Sequence, residues 1–154
     1  MPEDEQFLRE ALELAKDAER GGEVPVGAVV VLDGRIIGRG RNSPIARNDP
    51  TAHAEILALR EAAAATGNYR LEGATIYATL EPCVMCAGAL VSARVYRLVF
   101  GARDLRFGGV RSKFRLADAD VLNHRVHIVE GVLGPECADL MQRFFNSRRL
   151  TDRR

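Results

Sequence analysis

His53 and Glu55 stand two residues apart in TAHAE (51–55), and Cys83 and Cys86 stand three apart in PCVMC (82–86). These are the side chains of the chain best suited to chemistry. Cysteines three apart on a helix share one face, where they can grip one ion. Two residues of helix turn a side chain by about 200°, so mid-helix His53 and Glu55 would point to nearly opposite faces. In a first turn the objection lapses, because side chains there converge over the open helix end. The spacing then suits one metal ligand and one proton carrier, with Glu55 beside the metal and not bound to it.

One imidazole and two thiolates, from His53, Cys83 and Cys86, make a tetrahedral zinc set with the fourth position open, as catalytic sites have. Alone, Pro-Cys-x-x-Cys serves equally for a redox pair or half of a structural zinc knot. No fourth ligand is evident. Cys137 lies far downstream and reads as a buried small hydrophobe, and His124 and His127 around the last strand read as structural histidines.

Positioning these residues falls to alternating helices and strands. Residues 3–20 carry an apolar stripe that ends at Gly21-Gly22, the pattern of an amphipathic helix. VPVGAVVVLDGRIIGRG (24–40) reads as two strands joined at Asp33-Gly34, a strong hairpin signal. A helix is expected to open at Asp49-Pro50-Thr51, with Asp49 or Thr51 as cap, and to run to Gly67. Further strands are expected over 74–80, 95–102 and 124–131. Further helices are expected over 81–94, more weakly over 115–121, and from Pro135 to Arg149. This order predicts an α/β chain, a three-layer α/β/α domain around a five-stranded mixed sheet. His53 and the cysteines would then open two helices at one edge of the sheet, where free N–H groups and the helix dipole favour thiolates.

At 154 residues, 47% hydrophobic and 28% charged, the chain suits a single globular domain. The N-terminus is acidic without an apolar core, unlike a signal peptide, and AVVVL (28–32) is far too short to span a membrane. Three cysteines fit a reducing compartment, so a cytoplasmic protein is expected. The net charge of +1 is unevenly spread. Residues 1–23 are acidic, whereas residues 94–115 hold seven bases against Asp104 alone. The segment Arg143–Arg154 holds five arginines against Asp152. Such asymmetry points to an anionic partner, although solvated arginines alone would look the same.

His-Ala-Glu followed by Pro-Cys-x-x-Cys is the pattern of zinc nucleobase deaminases. With EVPVGAVVV, RNSPIARNDPTAHAEILALR, NYRLEGATIYATLEPCVMCAGALV, VFGARD and NHRV, the chain resembles the bacterial tRNA-specific adenosine deaminases from about residue 5 to residue 150. These form a branch of the zinc-dependent cytidine/deoxycytidylate deaminase superfamily. The resemblance implies a hydrolase that converts adenosine to inosine at the tRNA wobble position. It implies one zinc per subunit on His53, Cys83 and Cys86, with Glu55 as the proton shuttle. It further implies that Asn42 holds the target nucleoside, that Val26, Ala54 and Leu80 line the base pocket, and that Asp104 lies near the RNA backbone. Read from the residues, Asn42 is a turn asparagine and Asp104 a loop cap. Phe145 and Arg149, four apart on the last helix (about 135–150), would face the anticodon stem-loop. The resemblance also implies a homodimer, with no membrane association. Arg41 and LRFGGVRSKF (105–114) depart from the family pattern. Two other readings remain: a deaminase of guanine or another free nucleobase or nucleoside, and a non-catalytic zinc-containing RNA-binding subunit.

Overall fold

The computed structural model describes residues 2–152; Arg153 and Arg154 of the arginine-rich tail lie outside the described residues. Helix α1 (Pro2–Arg20) is followed by the hairpin β1 (Gly27–Leu32) and β2 (Arg35–Arg41), which turns at Asp33-Gly34 as expected. Then come a one-turn helix α2 (Pro44–Arg47), helix α3 (Ala54–Thr66), strand β3 (Thr75–Leu80) and helix α4 (Val84–Ala93). Strands β4 (Arg97–Ala102) and β5 (His127–Glu130) and helix α5 (Gly134–Asp152) complete the chain.

The strand order is β2-β1-β3-β4-β5. β1 runs antiparallel to both β2 and β3, whereas β3, β4 and β5 are mutually parallel. The expected mixed sheet is therefore present. Alternation along the strands sorts the core into two layers. Ala28, Val30, Ile76, Leu98 and Phe100 pack with α3 and α4 on one face. Val29, Val31, Tyr77 and Val99 pack beneath α1 on the other, where α5 adds Cys137 and Leu140 against Leu12 and Ala15.

Local differences from the sequence reading have physical causes. The helix expected at Asp49 starts five residues later, at Ala54. The Asp49 carboxylate instead accepts from the Thr51 amide (2.8 Å) and hydroxyl (2.7 Å), which closes a turn before the helix. The one-turn helix α2 was not expected, and no helix forms over 115–121, where the chain runs in bends and turns. α4 opens at Val84, three residues later than the Glu81 start.

Helix α3 lies unusually close to the hairpin. A Cβ on Gly40 would overlap the carbonyl of Ala54, and one on Gly38 would overlap that of Ala58. Glycine at these strand positions lets the first turn of α3 rest on β2, and so fixes where His53 stands.

Beneath α1, Asp4 is 3% exposed yet charged. Arg97 grips it with two donors, at 2.8 and 2.9 Å, and the Tyr77 hydroxyl donates at 2.8 Å. Burial pushes the Asp4 carboxyl up, but the Arg97 and Tyr77 hydrogen bonds outweigh it and hold it below the ordinary value. A carboxyl with a lowered folded-state pKa adds stability above its unfolded value, and that stability is lost as pH falls through the folded value. Asp4→Asn, which strands Arg97, should cost about 3 kcal/mol at pH 7. Urea denaturation should show the gap from wild type narrowing as pH falls below about 4. A gap independent of pH would mean that the charge contributes nothing.

Candidate active site

Two helix N-termini meet at the same edge of the sheet. His53 is the N-cap of α3 and Cys83 the N-cap of α4, both with extended backbone and neither using its side chain to cap its own helix. An N-cap residue that leaves its helix uncapped has its side chain available for other work. Here both side chains reach the same point. His53 Nδ1 lies 3.5 Å from Cys83 Sγ and 3.5 Å from Cys86 Sγ, and the three potential ligand atoms fall within 4.8 Å of one another. A tetrahedral zinc with Zn–S near 2.3 Å and Zn–N near 2.0 Å sets nitrogen and sulfur about 3.5 Å apart, so the cluster fits that ion. Among the described residues this is the one such group, and Glu55 falls outside it.

The electrostatics suit a cation. A hydrogen bond from Cys86 holds the Cys83 thiol down to about 4, so Cys83 is a thiolate, and sharing that bond pushes Cys86 up. The hydrogen bond to Cys83 raises His53. His53 and Cys86, the members that keep their protons, would release them on binding a cation. Glu55, in the first turn of α3, is 4% exposed, and burial pushes its carboxyl up to about 7. It is poised to give or take a proton near neutrality.

A cavity of about 310 Å³ stands over this group, lined by Val24, Val26, Asn42, Leu80, Asp104 and Phe107 together with His53, Glu55, Glu81 and Cys83. The expected Val26, Asn42, Leu80 and Asp104 are thus brought together with the cluster. Ala54 is not on that wall: it is fully buried, with its carbonyl against Gly40. Phe145 and Arg149 line a second groove of about 670 Å³, which shares Val24, Leu80, Asp104 and Phe107 with the first and continues over Arg103, Arg106 and Arg148. Asp104 acts as a loop cap, since its carboxylate accepts from the amides of Arg106 and Phe107, each at 3.1 Å. His124 Nε2 donates to the Val95 carbonyl (2.7 Å), and His127 stacks on Tyr96. Neither joins the His-Cys-Cys group. Cys137 is buried, and burial pushes its thiol up to about 12.

Sequence reasoning missed two buried carboxylates that shape the mouth. Glu23 accepts from the amides of Ile45 (3.1 Å) and Ala46 (2.8 Å) and so caps α2, whose own N-cap residue Ser43 makes no side-chain cap. Glu81 receives hydrogen bonds from the loop 104–112. The available signal was an acid in each case beside an apolar strand segment: Glu23 before VPVGAVVV, and Glu81 after ATIYATL.

The sequence of residues 1–102 matches the family model of the cytidine and deoxycytidylate deaminase zinc-binding region. The chain belongs to this family of zinc-binding deaminase domains. Within it, a tRNA-specific adenosine deaminase of Haemophilus influenzae is 52% identical over 95% of this chain and 85% of its own. A solved structure from work on A-to-I editing by tRNA:A34 deaminases at the wobble position superposes with a TM-score of 0.85. It is 44% identical and covers 88% of this chain and 98% of that one. A guanine deaminase from Bacillus subtilis is 42% identical over 64% of each chain, with a TM-score of 0.62.

Replacing Cys86 with Ala removes one of the three candidate ligands. The purified variant should hold far less than the roughly one zinc per chain expected of wild type, by elemental analysis. Undiminished zinc in Cys86→Ala would mean that the ion is held elsewhere.

Proposed function

We propose that this protein hydrolyses adenosine to inosine at the wobble position of a tRNA anticodon, releasing ammonia. The observation that carries the reading is the buried Glu55 beside a His-Cys-Cys cluster, under a cavity that opens into an arginine- and phenylalanine-lined groove. Relatives named tRNA-specific adenosine deaminases, matched over nearly the whole chain, support it. His53, Cys83 and Cys86 would hold one zinc per subunit, which when bound would supply the Lewis acidity that brings a water within reach of deprotonation near neutral pH.

The protein's own groups then carry the reaction. Glu55 takes a proton from the water and delivers it to N1 of adenine as the oxygen adds at C6. It next moves the remaining proton of the added hydroxyl to the amino group, so that the C6–N bond breaks, ammonia leaves and the C6 carbonyl of inosine forms. Val26 and Leu80 give the base apolar walls, and Asn42 offers the nucleoside a polar partner at the rim. In the neighbouring groove Phe145 offers a base a stacking face and Arg149 offers a phosphate a cation. The C-terminal helix is thereby the RNA-binding part of a single deaminase domain. We assign the working form to a homodimer acting in the cytoplasm, where its substrate resides. No described helix is long and apolar enough to cross a membrane.

The fold itself uses several of the basic residues. Arg97 pairs with Asp4, Arg103 with Glu130 (2.7 Å) and Arg111 with Asp118 (2.8 Å), while Arg143 pairs with Asp139 on its own helix. Arg106, Lys113 and Arg115 make no ion pair among the described residues. Of these only Arg106 lines the groove; with Arg148 and Arg149, also outside any ion pair among the described residues, and the paired Arg103 beside them, it is offered to phosphate.

Zinc-loaded protein given an anticodon stem-loop with wobble adenosine, and separately guanine, cytidine and adenosine, should form inosine in the RNA alone. Rapid guanine turnover without RNA editing would overturn the reading. Glu55→Ala should keep its zinc and lose on the order of 10²–10⁴ in rate; full activity would remove Glu55 from the mechanism. Affinity for the stem-loop should fall on the order of 10²-fold from 50 to 200 mM salt, as about four phosphate contacts require. A flat salt response would remove the cationic groove from RNA binding.

A further inference from the structure

Glu81 is 2% exposed, yet it belongs neither to the metal cluster nor to the core. Its two oxygens are filled from one segment. The amides of Asp104 (3.1 Å), Val110 (3.1 Å), Arg111 (2.7 Å) and Ser112 (2.9 Å) all donate to it, as does the Ser112 hydroxyl. The loop 104–112 thus wraps around a single buried carboxylate. Gly108 lies so close that a Cβ there would overlap the carboxylate itself.

The loop is also tied to the chain that carries the ligands. The Gly109 amide donates to the Pro82 carbonyl at 2.8 Å, and Gly108 forms a bridge with Cys83. A Cβ on Gly109 would meet the Val84 nitrogen at 2.8 Å. At its other end, Glu81 holds the Asp104 amide, and the Asp104 carboxylate in turn holds the Phe107 amide. Phe107 stands 66% exposed on the rim shared by cavity and groove. A large aromatic ring held by its backbone at such a mouth is a stacking platform for an unpaired base.

We infer that Glu81 is a positioning residue for substrate capture: through the backbone of 104–112 it fixes Phe107 as a stacking platform beside the cavity and registers that platform against Cys83. The inference rests on the reading of the cavity as a nucleobase site in RNA. Glutamine at position 81 keeps the shape but replaces one acceptor oxygen with a donor, facing amides that can only donate.

Glu81→Gln should therefore raise KM for the wobble-adenosine stem-loop on the order of tenfold, with kcat within about threefold and bound zinc unchanged. Phe107→Ala should raise KM similarly, and the double variant no further than either single one, because both remove the same platform. Amide exchange at 104 and 110–112 should quicken in Glu81→Gln while β3 and β4 keep their protection. Ser112→Ala, which removes one donor and spares the rest, should give the same pattern more weakly and serves if the glutamine variant does not fold. An unchanged KM in an active protein, additive effects of positions 81 and 107, or quickened exchange throughout the core would overturn the inference. Wild type that leaves the RNA unedited would sink the functional reading instead, and the exchange pattern would still decide whether Glu81 anchors the loop.

Discussion

Two helix N-termini do not meet at one point without cost. Each carries about half a positive charge and several amides without helical partners, so their approach is repulsive unless something negative stands between them. Here α3 and α4 open onto the same spot, and what stands between them is a thiolate on Cys83 with the carboxyl of Glu55 alongside. The same convergence that demands negative charge lowers the cost of having thiolates there. Once those groups are in place they form a candidate ligand set, and a divalent cation would complete the balance. The sheet supports this by bringing the hairpin under α3 at Gly38 and Gly40 and by placing α4 between the parallel strands β3 and β4.

The charge pattern of the sequence resolves into two different uses. The acidic N-terminal helix and the basic 94–115 stretch look like opposite surfaces when only counted. In the fold they partly neutralise one another, as Asp4 at the start of α1 meets Arg97 on β4 beneath the sheet. Arginines that close ion pairs with Glu130 and Asp118 hold the sheet edge and the loop beside the cavity. What remains along the groove for an anionic partner is a smaller set, Arg106, Arg148 and Arg149. Net charge along a sequence therefore overstates the field that a ligand meets.

The parts of this fold carried by periodicity were legible in advance. The amphipathic stripe of α1, the Asp33-Gly34 hairpin and the mixed sheet follow from local patterns that packing reinforces. The meeting of His53, Cys83 and Cys86 was legible because histidine and paired cysteines have few other uses at helix starts. What stayed hidden was set by contacts distant in sequence. The Asp49 turn competes with the expected helix start, and α2 exists because Glu23, some twenty residues earlier, caps it. Glu81 reaches forward across more than twenty residues to its donors, and nothing in TLEPC announces them. Ala54, expected at the pocket wall, is turned inward because the same closeness to Gly40 that seats the helix also buries its first residue.

Four of the five hydrogen bonds on Glu81 come from main-chain amides, a group that every amino acid except proline provides. Side chains along the loop are consequently free to change while its path is kept, provided the two close-packed glycines remain. LRFGGVRSKF can therefore diverge without disturbing the His-Cys-Cys cluster beside it. Such an arrangement separates inheritance of the chemistry from adaptation of its target: lineages can explore new recognition surfaces on an unaltered reaction centre.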